Sequence, residues 1–97
     1  MAGGRRAERL IMRCGLPQDA LAMGARVTMI AQGSVLIEGQ RGVVELAPQR
    51  IRLLTEGGVL AVEGEGLKLR ELSLDAAMIT GEPVMAVSYA GAGRNGR

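Results

Sequence analysis

The chain has 97 residues and a net charge of +2; 47% of its residues are apolar, 23% are charged, and it contains one cysteine and no histidine. This length suits one small domain, the composition is that of a globular chain, and no apolar run approaches the roughly 18 residues of a membrane-spanning helix. Cys14 alone excludes an intrachain disulfide, and without histidine a zinc site lacks ligands and a nucleophile lacks an imidazole base.

In chain order, Met1 to Gly4 is expected to be disordered, and nothing near the start has the apolar stretch of a secretory signal. From Arg5 to Cys14 the spacing of Ala7, Leu10, Ile11 and Cys14 predicts a short amphipathic helix, with Arg5, Arg9 and Arg13 stepping along another face. Ten residues are marginal for an isolated helix, so this one needs a surface. Its own sheet, an anionic membrane and a groove on a partner protein all qualify. Gly15 and Pro17 break the helix, and Ala20 to Met23 reads as an apolar turn ended by Gly24, a hinge completing an N-terminal segment of residues 1–25.

Residues 26–90 read as a β domain. Runs rich in Val, Ile, Leu and Met (RVTMIA, SVLIEG, GVVELA, RIRLLTEGG, VLAVEGEG, LKLRELSLD, AAMITGEP, VMAVSYA) alternate with glycine-bearing punctuation, which predicts about eight short strands joined by tight turns. Alternation places Val35 with Ile37, Val44 with Leu46, Ile51 with Leu53 and Leu67 with Leu69 on a buried face, and Glu45, Arg52 and Lys68 on a wet one. On that reading Val44→Asp buries an unpaired charge and costs several kcal/mol. The phase slips after Leu69, predicting a bulge near Arg70 and Glu71. Met29, Met78 and Met85 read as core filling. VLIEGQRG from Val35 echoes VLAVEGEG from Val59, as expected of related hairpins facing each other in a sandwich or of rungs in a β-solenoid. Residues 91–97, GAGRNGR, read as a flexible tail.

No constellation of catalytic residues emerges. The carboxylate pairs Glu63 with Glu65 and Glu71 with Asp75 fit a solvated face, Gly64 to Gly66 is a turn with no helix start behind it, and no Ser or Thr sits in a nucleophile elbow. Tyr89 is the sole aromatic, which argues against base stacking and hence against nucleic-acid binding by the sheet face. Charge is segregated: residues 1–16 carry +3, residues 90–97 carry +2 and the body between carries −3. Arg5, Arg6, Arg9 and Arg13, with Arg41 in the first turn of the body, are the candidate contacts for a partner or a membrane.

The lead-in GLPQDAL from Gly15, RVTMIAQGSVLIEGQRGVV from Arg26, IRLLTEGGVLAVEGEGLKLREL from Ile51 and MITGEPVMAVSY from Met78 together resemble the YqfC branch of the YabP/YqfC sporulation protein family. The family pattern at the first turn is like Asn-His-Lys-Gly; here it is Gly39-Gln40-Arg41-Gly42, which keeps the basic residue and closing glycine and loses the histidine. The resemblance implies an immunoglobulin-like β-sandwich without enzymatic activity, cofactor or metal. It implies a cytoplasmic protein of endospore formers, peripheral to the forespore membrane on the mother-cell side, acting with a YqfD-type membrane protein. The alternative is a self-assembling scaffold of the spore coat or envelope, in which strand edges pair between copies to make homo-oligomers, as the short, glycine-bounded strands and the scarcity of proline allow.

Overall fold

The computed structural model describes residues 8–13, 18–22, 24–31 and 33–91. These form ten strands: β1 (Glu8–Arg13), β2 (Gln18–Ala22), β3 (Ala25–Ala31), β4 (Ser34–Glu38), β5 (Gly42–Leu46), β6 (Arg50–Leu54), β7 (Gly58–Gly64), β8 (Lys68–Leu72), β9 (Ala76–Thr80) and β10 (Val84–Gly91). The last eight are the eight expected from alternation and turns. All ten strands pair antiparallel and divide into two five-stranded sheets, ordered β1-β10-β7-β6-β5 and β2-β3-β4-β9-β8.

The inward residues of both sheets make one core. Val27, Met29, Val35, Ile37 and Ile79 come from the second sheet, and Ile51, Leu53, Leu60, Val62, Val84 and Val87 from the first, all buried. Period-two alternation puts these β-branched and leucine side chains on the inner faces, and burying each contributes on the order of 1.5–3 kcal/mol. This is a sandwich, not a solenoid. Its two three-stranded meanders, β2-β3-β4 and β5-β6-β7, depart from the immunoglobulin constant-type order, in which no three consecutive strands pair in sequence.

The internal echo has a spatial counterpart. VLIEGQRG begins in β4 and VLAVEGEG in β7, the central strands of the two facing sheets. Matching by burial pairs Val35 with Leu60, Ile37 with Val62 and Gly39 with Gly64. Both glycines lie where the chain leaves a central strand to cross to the other sheet. A side chain on Gly39, whose φ is +102°, meets the Gly24 carbonyl at 2.5 Å, and one on Gly64 runs into the Pro83 carbonyl.

Four expectations are corrected. Glu8–Arg13 is not helical but pairs with β10, and Gln18–Ala22 is not a hinge but pairs with β3 in a hairpin; the ends of the expected helix, Arg5 to Ala7 and Cys14, lie outside the described residues. Backbone pairing with an existing sheet edge satisfies every second donor and acceptor of such a segment, whereas a ten-residue helix must cover its own nucleation cost. Val44 is 48% exposed rather than buried, because the β5–β6 register shifts between Val43 and Glu45 and leaves Val44 as the extra residue of a bulge. Met85 likewise is exposed, beside a register shift between Val84 and Ala86, while Met29 fills the core as expected. The bulge expected near Arg70 and Glu71 is present, between Leu69 and Glu71.

Candidate interaction surfaces

Four turns meet at one end of the sandwich: Gly24 between β2 and β3, Gly39 to Arg41 on the crossover from β4 to β5, Glu56 after β6, and Leu74 with Asp75 between β8 and β9. Together they line a recess. Gln40 is its structural pin. Its side chain is 3% exposed, and its Nε2 donates to the carbonyls of Ser73 (3.0 Å) and Ala76 (3.3 Å). The Gly39 N–H adds a bond to the Asp75 carbonyl (2.5 Å), and the Ser73 N–H closes the β8–β9 turn on the Ala76 carbonyl (2.9 Å). The Oε1 of Gln40 is buried without a hydrogen-bond partner.

This bracket fixes a turn whose outermost residue, Leu74, is 98% exposed. A lone exposed leucine needs no explanation, but one held in place by four hydrogen bonds to its turn has already lost the backbone freedom that a binding surface must surrender. Around it stand Arg41, Glu56 and Asp75, both signs of charge, giving an apolar tip with a polar rim. Leu21 on β2, 72% exposed, lies toward the same end.

A second apolar surface runs along one flank. β5 and β8 are the edge strands there, and the two ends of β5 are tied to the two ends of β8: Gln40 reaches Ser73 and Ala76, and the Leu67 N–H donates to the Pro48 carbonyl (2.9 Å). By register, Val43 and Leu46 pair with the core residues Leu53 and Ile51, and Leu69 and Leu72 with Ile79 and Ala77, so all four face inward. Yet Val43 is 37%, Leu46 61% and Leu72 54% exposed, and Leu69 is only half-buried. The core is left open between these strands.

Of the five basic residues proposed as contacts, the described residues include Arg9, Arg13 and Arg41. Arg41 is exposed beside the first residue of β5, its N–H bonded to the Leu54 carbonyl (2.7 Å). The backbone of Arg9 and Arg13 lies on β1, at the opposite edge of the same sheet. Arg5 and Arg6 lie outside the described residues. Among acids, Glu63 pairs with Arg50 (3.6 Å) and Glu45 with Arg52 (2.7 Å), and Glu71 and Asp75 are exposed, so the carboxylate pairs considered from the sequence stand on wet faces. No cluster of three metal-ligating side chains occurs among the described residues, and none of their helices is long and apolar enough to cross a membrane.

Sequence reasoning fixed on Arg41 and missed Gln40 and Leu74. The loss of the family histidine at position 40 was the available signal for Gln40. Comparison with known proteins finds that residues 22–96 match the family model described as the YabP family. No curated protein and no solved structure matches the chain.

Proposed function

The chain belongs to the YabP family of sporulation proteins, and from that footing we propose that it is a non-enzymatic interaction module that docks on a YqfD-type membrane protein at the developing forespore. The observation that carries this reading is the fixed, fully exposed Leu74 on its Gln40-braced turn. The mixed charges of Arg41, Glu56 and Asp75 around that tip suit a protein surface better than an anionic bilayer. The basic N-terminal segment, with Arg5, Arg6, Arg9 and Arg13, holds the module near the mother-cell side of the forespore membrane while the turn makes the specific contact.

The test is a pull-down from sporulating cells with the tagged full chain. The parent protein retains a YqfD-type membrane protein. Leu74→Asp weakens retention by about tenfold or more, the scale of a central hot spot, while melting as the parent does. Retention equal to that of the parent would remove Leu74 from the contact, and a parent that retains no membrane protein would end the proposal. The second reading, a self-assembling component of the coat or envelope, is favoured by a different observation, the open β5 flank.

A further inference from the structure

We propose that two copies of this chain associate through β5 about a two-fold axis, making one continuous ten-stranded sheet. This deepens the self-association reading by naming the strand, the register and a closed stoichiometry of two, and it is independent of the Leu74 contact.

Three observations select a second copy as the occupant of the flank. The first is parity. A two-fold axis between Val44 and Glu45 runs β5 antiparallel to its copy, sets Val43 opposite Leu46 of the second copy, and sets Val44 opposite Glu45. Cross-strand partners must share a face. Val43 and Leu46 both face inward, as the pairing with Leu53 and Ile51 shows, and Glu45, paired with Arg52, faces outward beside the bulged Val44. The bulge makes the strand self-complementary: with strict alternation, Val43 and Leu46 would lie on opposite faces and this register would be excluded.

The second observation is charge. The only ionisable side chain on β5 is Glu45, and its carboxylate is occupied by the Arg52 guanidinium at 2.7 Å. The next outward pair, Arg50 with Glu63, also cancels. β5 itself offers a charged peptide or an anionic lipid surface no unpaired charge, and an identical strand brings none with it. The third is the contrast between the two edges of the flank. β8 carries Lys68, Arg70 and Glu71, all exposed, the charges of an edge guarded against pairing. β5 has no lysine, arginine or proline. Pairing through β5 covers the exposed inward faces of Val43 and Leu46, the part of the core that the opposite sheet leaves open.

A five-residue contact lies at the small end of interface sizes, so the pair is reversible and concentration-dependent. The measurement is sedimentation of the full chain over a wide concentration range. The expected result is a monomer–dimer equilibrium reaching twice the chain mass and going no further. Leu46→Lys, at a site already exposed, removes the dimer with unchanged circular dichroism and melting. A parent that stays monomeric, growth beyond two copies, or a dimer unaffected by Leu46→Lys overturns the proposal. The register has its own readout in a Cys14→Ser background. A mixture of Val43→Cys and Leu46→Cys chains forms a disulfide-linked dimer on mild oxidation and either chain alone does not. Cross-linking of either chain alone as efficient as that of the mixture refutes this register.

Discussion

Gln40 shows how one side chain sets the presentation of a surface. Replacing it by leucine leaves the Ser73 carbonyl without its donor and loosens the hold on Ala76, but also removes the orphaned Oε1, so the two effects partly offset. The expected net loss is about 1–2 kcal/mol in urea unfolding, with faster hydrogen exchange confined to the β8–β9 turn. Gln40→His, which restores the residue of the family pattern, keeps a ring N–H donor and should fall between parent and leucine variant. An equal loss in both variants would show that the hydrogen bonds are not what the position supplies. Gly64 gives a sterically driven case. Gly64→Ala drives a methyl into the Pro83 carbonyl and within 3.0 Å of the Val84 Cα, which are backbone atoms that cannot rotate away. The same change at Gly42 meets nothing within 4 Å. Thermal melting should show a loss of about 1–3 kcal/mol at Gly64 and less than about 0.5 kcal/mol at Gly42.

At the level of strands, what was legible depended on how many signals agreed. Most of β3 to β10 combine alternation with glycine or proline at the ends, and local pattern and global fold point the same way. β1 carries Leu10, Ile11 and Met12 between charges, a short apolar run whose spacing fits helix and strand equally, and the choice is made by the free edge of β10, which no local pattern reveals. The consequence is measurable. In the full chain, the β10 amides bonded to β1 exchange slowly; in a chain starting after Arg13 they exchange at the rate of an open edge, whereas a helical N-terminus would leave them alike in both. The exposure of β5 was illegible for a related reason. Alternation shows neither where a bulge resets the face, as it does at Val44, nor whether anything covers the inward face, as at Val43 and Leu46 on this edge strand. Val44→Asp should therefore change stability by less than about 0.5 kcal/mol, against a loss of several kcal/mol for Val62→Asp, whose carboxylate has no water and no partner; matched urea midpoints give both.

Taken whole, the molecule keeps its two apolar surfaces adjacent and its charges apart. The Leu74 turn stands at one end and adjoins the open flank between β5 and β8 that runs along one side, and docking and pairing are assigned to different residues of this continuous region. Charge is separated along the chain, and this decides how any membrane contact can work. Residues 17–89 carry −3 and so are repelled by an anionic bilayer, while residues 1–16 carry +3. Arg41 stands apart from the arginines of β1: it sits beside β5 with Glu56 and Asp75 lining the same recess, and β1 lies four strand spacings away, about 19 Å, more than twice the screening length of about 8 Å at physiological salt. On the proposed reading, membrane affinity rests on Arg5, Arg6, Arg9 and Arg13, at about 1 kcal/mol each near the surface, enough for weak binding at low salt and too little for stable attachment. Co-sedimentation with vesicles rich in anionic lipid should be weak, should vanish as salt is raised and should be abolished when the four arginines are replaced by alanine, with Arg41→Ala making no difference. Binding that survives in the four-arginine variant would place the contact on the sandwich itself and reverse the assignment of roles between the N-terminal segment and the turn end.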